Sequence, residues 1–182
     1  TADCLFVLWL LYFFALLEVF IMRKFEKIGK SEFLKDVPDA NYDDIILPKR
    51  STLNSAGYDF YSVISFTLSP GERRVIPTGI KASMDSNEFL SIYIRSSLGF
   101  KWNIRMCNQV GIIDADYYNN SENEGHIFVC LMNEGDKVLE IKKGDRIVQG
   151  IFMPFLITDD DKTTDIRMGG IGSTNKGDDN NE

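Results

Sequence analysis

What this 182-residue chain has little of limits it first. It carries a single histidine, His126, and no Cys-x-x-Cys, so a zinc centre of the usual His/Cys kind has no ligands to draw on. Its three cysteines (Cys4, Cys107 and Cys130) are isolated and odd in number, which reads as buried apolar thiols in a reducing compartment. Positive charge is short, with 20 Lys and Arg against 27 Asp and Glu and a net charge of −7. A phosphate-backbone footprint is therefore missing, and no stable nucleic-acid binding is expected. Any anion site has to be local, made from a few arginines and backbone N–H groups. After Ile45 there is no sustained 3.6-residue periodicity, although residues 97–103 could hold a short helix. The 44% of hydrophobic residues suffice for a globular core, and the length suits one domain with extensions.

One long apolar run does exist, over residues 5–17, and it resumes after Glu18. Its length fits a membrane helix or the core of a signal peptide. The chain opens on Thr, however, and Met22-Arg23-Lys24 reads as an ordinary start. Residues 1–21 are therefore expected to be foreign to the native protein, with membrane contact only if residues 4–22 are genuine. Residues 22–44 are charged and mixed, a short helix or an arm, and from 45 to 157 the text is all-β. Strand-like runs at 58–61, 73–76, 80–83, 89–94, 127–132, 138–141 and 147–153 alternate with turn signals such as Ser69-Pro70-Gly71-Glu72 and Lys142-Lys143-Gly144-Asp145. The run at 127–132 is apolar on both faces, as in a sheet covered on each side. Many short strands in one domain imply a sandwich or barrel of jelly-roll type.

The stretch Gly111-Ile112-Ile113-Asp114-Ala115-Asp116-Tyr117 ends an apolar run with two carboxylates two positions apart. In extended backbone Asp114 and Asp116 share one side. A strand ending in this way can deliver a carboxylate to a rigid rim, though the same residues suit a plain acidic turn. Four further pieces stand at strand ends: Ala56-Gly57-Tyr58-Asp59-Phe60-Tyr61, Arg95-Ser96-Ser97-Leu98-Gly99, Asn108, and Gly144-Asp145-Arg146-Ile147-Val148-Gln149. Beyond residue 158 the chain turns to Asp, Gly, Asn and Thr and cannot bury a core of its own. There Arg167 precedes Gly169-Gly170-Ile171-Gly172-Ser173-Thr174, whose N–H groups and hydroxyls could wrap a phosphate.

In order and spacing, AGYDFYS, RSSLG, GIIDADY, GDRIVQ and GGIGST resemble the five motifs of the homotrimeric dUTPases, over residues 45–176. The resemblance implies an all-β, jelly-roll-like fold of the β-clip type with a flexible tail at residues 158–182. It implies hydrolysis of dUTP to dUMP and pyrophosphate, with Mg²⁺ as cofactor. It also implies a homotrimer whose sites are shared between subunits; with residues 1–21 read as foreign, the expected location is cytoplasmic. Asp114 matches the carboxylate that activates the attacking water, and Tyr117 the ring that packs under deoxyribose. Asn108, Ile112 and Ile113 match the uracil-reading segment. Arg95, Ser96, Ser97 and Gln149 match phosphate contacts, and Asp59 a carboxylate near the metal acting through water. Arg167, Ile171, Gly172, Ser173 and Thr174 match the closing tail.

Three departures stand out. Residues 118–124 intervene before Gly125 and read as a lengthened surface loop. Ile171 stands where the family usually has Phe, and Arg167 is one residue nearer the double glycine than usual. Two other readings share the fold, a dCTP deaminase and a regulatory protein-binding module. The first would need a glutamate in the Asp114 region.

Overall fold

The computed structural model describes residues 23–165, 167, 169 and 170. The apolar run at residues 5–17 and the tail residues Ile171, Gly172, Ser173 and Thr174 lie outside the described residues. Twelve strands follow in order among the described residues: β1 Lys24–Lys27, β2 Lys49–Arg50, β3 Tyr58–Tyr61, β4 Phe66–Leu68, β5 Arg73–Pro77, β6 Ile80–Ser83, β7 Glu88–Ile94, β8 Ile104–Met106, β9 Gly111–Asp114, β10 Phe128–Asn133, β11 Leu139–Ile141 and β12 Arg146–Pro154. Two short helices, Lys30–Asp36 and Ser96–Trp102, interrupt them. All pairings are antiparallel. A five-stranded sheet runs β2-β3-β12-β7-β9 and a three-stranded sheet β5-β10-β8, with two smaller pairs, β11-β4 and β1-β6. The result is the expected all-β, jelly-roll-like architecture.

Alternation along the strands places the core. In β7, Leu90 and Ile92 are buried, as are Val129 and Leu131 in β10 and Phe60 in β3. Each such side chain, fully buried, contributes about 1.5–3 kcal/mol. The turns close as their residues dictate: Glu72 N–H donates to Ser69 O at 2.9 Å and Asp145 N–H to Lys142 O at 2.9 Å. Among the described residues no helix is long and apolar enough to cross a membrane.

Three sequence expectations change. The charged arm is stitched into the fold, with β1 paired to β6 and with Ile28 and Phe33 fully buried in the core. The run at 127–132 is not apolar on two covered faces: within this chain Phe128, Cys130 and Met132 are only half-buried. Cys107 and Cys130 are not isolated either. Antiparallel pairing of β8 with β10 sets Leu131 opposite Met106, and just beyond it Cys107 N–H donates to Cys130 O at 2.8 Å. The two free sulfurs lie 2.9 Å apart. Burial, with a hydrogen bond to Cys107, pushes the Cys130 thiol up to about 11.

His126 is wholly buried and fastens three parts of the fold. Its Nε2 accepts the Gly79 N–H at 2.9 Å, which requires the proton on Nδ1. Nδ1 then donates to Asp36 Oδ2 at 3.0 Å.

Candidate active site

Three of the predicted pieces meet at one end of β7 and β12. Ser51, Ser55, Gly57, Asp59, Arg95, Ser96, Ser97 and Gln149 line a cavity of about 350 Å³. At its base Asp59, only 5% exposed, accepts from Arg95 Nε at 2.8 Å and from Arg146 Nη1 at 3.2 Å. The Ser51 hydroxyl adds a third bond to Asp59 at 2.7 Å. One carboxylate thus holds two guanidinium groups that would otherwise repel, and the Arg95 contact uses Nε, leaving its Nη groups for an anion. Gln149 enters beside Gly57, where any Cβ would overlap its amide oxygen. Glycine there serves close approach, not a turn: a Cβ would push the Gln149 amide from this position. The cavity therefore offers hydroxyl, amide and guanidinium donors, a set suited to phosphate.

The second pole lies at the other end of β9. Asp114 is the last residue of that strand, and the chain then coils into a 3₁₀ turn at Ala115–Tyr117. The backbone is not extended through Asp116, as the alternation argument assumed. The two carboxylates are nonetheless drawn together by Arg167, whose Nη2 donates to Asp114 Oδ2 at 2.6 Å and Nε to Asp116 Oδ1 at 2.9 Å. The Arg167 guanidinium also lies 5.8 Å from the centre of the Tyr117 ring. Gly170 N–H donates to Glu122 Oε2 at 2.7 Å, so the start of the tail rests on the chain's own acidic rim. Tyr117 is 6% exposed, and burial raises its phenol above the ordinary range.

Asn108 occupies the exposed turn between β8 and β9, with Val110 N–H donating to its carbonyl at 2.6 Å. Ile112 is exposed and Ile113 half-buried on β9. As the last strand of its sheet, β9 keeps one edge unpaired within that sheet.

One chain does not bring the two poles together. Asp114 stands opposite Phe89 near the start of β7, whereas Gln149 stands opposite Tyr93 and Arg95 follows the strand's end. Four strand residues span roughly 13 Å, and two strand spacings add about 10 Å across the sheet. Sequence reasoning missed Ser51, Ser55 and Arg146 at the phosphate pole. Arg146 sits inside the quoted GDRIVQ piece, so a cation beside that motif's acid was the available signal. Ser51 and Ser55 gave none.

Among the described residues no cluster of three or more His, Cys, Asp or Glu side chains is placed to hold a metal ion. Asp59, assigned a distant role near a metal, is committed to Arg95, Arg146 and Ser51.

The chain is 49% identical over 132 residues to the deoxyuridine 5'-triphosphate nucleotidohydrolase of Lactococcus lactis subsp. lactis, covering 71% of this chain and 88% of that protein. Among solved structures, the dUTPase of Streptococcus mutans is 41% identical with a TM-score of 0.63, covering 75% of this chain and 98% of that one. A mutant dUTPase from phage phi11 of S. aureus, described for its coordination of a structural Mg(II) ion, shares the fold at 16% identity and a TM-score of 0.59, covering 79% of this chain and 97% of its own. The dUTPase family model matches residues 43–175, most of the chain, and the chain therefore belongs to the dUTPase family.

Proposed function

We propose that this protein hydrolyses dUTP to dUMP and pyrophosphate, limiting uracil entry into DNA and supplying dUMP for dTMP synthesis. The observation that carries the reading is the donor set of Arg95, Ser96, Ser97 and Gln149 around one cavity, held by Asp59, in a chain of this family. These groups hold the phosphates, and Asp114 from the other pole takes the proton of the water that attacks the α-phosphorus. Donors fixed in advance stabilise the charge that develops on the phosphoryl oxygens. A magnesium ion would be held by the phosphates themselves and would neutralise part of their charge.

Separation of the poles supports a site assembled from different subunits of a homotrimer, one giving Asp114, Asn108, Ile112, Ile113 and Tyr117 and another the phosphate donors. The β domain over residues 45–157 supplies both poles, and the tail over residues 158–182 brings Ile171, Gly172, Ser173 and Thr174 to close the site. Arg167 has to leave Asp114 before that carboxylate can serve a water, and the incoming phosphates are the stronger draw. A cytoplasmic location goes with the two free thiols at Cys107 and Cys130.

The test is to incubate the protein with each deoxynucleoside triphosphate and Mg²⁺ and to measure pyrophosphate and ammonia. Pyrophosphate from dUTP alone is expected; ammonia from dCTP would sink the assignment. Asp114→Asn should bind dUTP yet turn it over about 10²–10⁴-fold more slowly. Full activity in that variant would remove Asp114 from its role.

A further inference from the structure

Residues 118–124, which read as a lengthened surface loop, are organised around Tyr117. Asn120 is only 8% exposed. Its Nδ2 donates to Tyr117 O at 2.9 Å and to Asn123 Oδ1 at 2.8 Å. Its Oδ1 accepts the N–H groups of Glu122 and Asn123 at 3.0 and 3.1 Å. The loop then closes on itself: Asn119 N–H donates to Glu124 O at 3.1 Å and His126 N–H to Asn123 O at 2.9 Å. Gly125, at φ +83°, lets the chain pass where a Cβ would stand 2.7 Å from Tyr117 O.

Asn123 is the residue that reaches the ring. Its Oδ1 accepts the Gly125 N–H at 3.0 Å as well as the Asn120 amide. A backbone N–H can only donate, so the oxygen must be on that side and Nδ2 must face away. Nδ2 donates to the Tyr117 hydroxyl at 2.8 Å, and that hydroxyl donates its own proton to His126 O at 2.9 Å. The phenol is thus held from two sides, by a loop amide and by the carbonyl of a wholly buried residue. A buried phenol takes hydrogen-bond partners in any case; here one of the two comes from the loop, so the loop helps set where the ring stands.

We infer that Asn123 is a positioning residue for dUTP hydrolysis, holding the Tyr117 ring at the height that admits deoxyribose and excludes a 2′-hydroxyl. The inference rests on the proposed activity and on Tyr117 as the surface under the sugar. A hydroxyl is rejected only when the wall behind it cannot yield. Releasing one tether lets the ring settle away from the sugar and opens the space that a ribose needs. The loop therefore sets preference for deoxyribose without touching the nucleotide.

The experiment compares kcat/KM for dUTP and for UTP, with Mg²⁺, in the full-length protein and three variants. Asn123→Ala removes the tether. Asn123→Asp keeps both Oδ1 bonds but replaces the donor with an acceptor, which pulls the phenol proton away from His126 O, so it serves if the alanine variant loses the fold. Tyr117→Phe removes the hydroxyl and leaves the ring. Each should lower the dUTP-to-UTP ratio about 5- to 20-fold, through a rise in UTP turnover as well as a loss for dUTP. Adding Asn123→Ala to Tyr117→Phe should lower the ratio no further. A ratio within about twofold of wild type in both Asn123 variants overturns the inference, as does full additivity in the double variant. Wild-type protein inert toward dUTP overturns the activity and this role together; active wild type with unchanged variants overturns this role alone.

Discussion

Asp59 shows how much one side chain organises. It is nearly buried, and its charge is balanced by Arg95 and Arg146 with Ser51 as a further donor. Removing it leaves two guanidinium groups without their shared counter-charge beside a cavity whose donors suit phosphate. Asp59→Ala should raise the KM for dUTP about tenfold and lower the unfolding free energy by roughly 3 kcal/mol, as loss of one member of a buried ion pair does. Steady-state kinetics with urea titration measures both, and an unchanged KM would show that Asp59 does not serve the phosphate pole. At this scale the sequence was informative about identity but not about partnership. Asp59, Arg95 and Gln149 stood out as motif residues, whereas the bond between the first two depends on β3 and β7 flanking β12. Cys107 and Cys130 teach the same lesson, because neither spacing nor composition says that β8 will lie beside β10.

Between elements, His126 is the fastening that pH can loosen. It links the helix Lys30–Asp36 through Asp36 and the approach to β6 through Gly79. Burial holds its imidazole below the ordinary value, with the nearby Asp36 opposing in part. The unfolded chain therefore binds a proton that the folded chain does not, in the window between the lowered folded value and about 6.5. The stabilisation is complete above that window and is lost as pH falls through it. Melting temperature should drop as pH falls below about 6.5, and His126→Gln should flatten that part of the profile. An equal slope in the variant would assign the effect to other groups. Element boundaries were legible where apolar alternation met glycine, proline or acidic turns, as at β3, β6 and β7. The strand β1 escaped notice, because KFEK carries three charges and one inward ring. Its place is fixed by pairing with β6 and by Phe25 packing against Tyr58, Phe60 and Phe152.

On the scale of the whole molecule, the distance between the poles has a direct consequence for mixed assemblies. If Asp114 and Arg95 act on one nucleotide from different subunits, two individually inactive variants can repair each other. Asp114→Asn and Arg95→Ala chains, denatured together and refolded at equal ratio, should recover about one quarter of wild-type sites. Each variant refolded alone should stay inactive. No recovery in the mixture, despite a trimeric mass by light scattering, would place both groups in one chain's site. The tail motif points the same way in the sequence: the phosphate-binding role proposed for a segment that cannot bury a core is useful only where a folded body supplies the rest.

The outer edge of β9 carries a further consequence. A strand at the end of a sheet offers a row of N–H and C=O groups to any segment that can lie alongside it, which is the ordinary route to unwanted sheet extension. Here the row is four residues long, closed at one end by the turn holding Asn108 and at the other by the 3₁₀ turn at Ala115–Tyr117. A row of four is as long as several strands that pair in this fold, so what limits it is the turn at each end. Under the proposed function, a pyrimidine seated on that row would pair with it as a neighbouring residue does, and the open edge would then be the socket for the base.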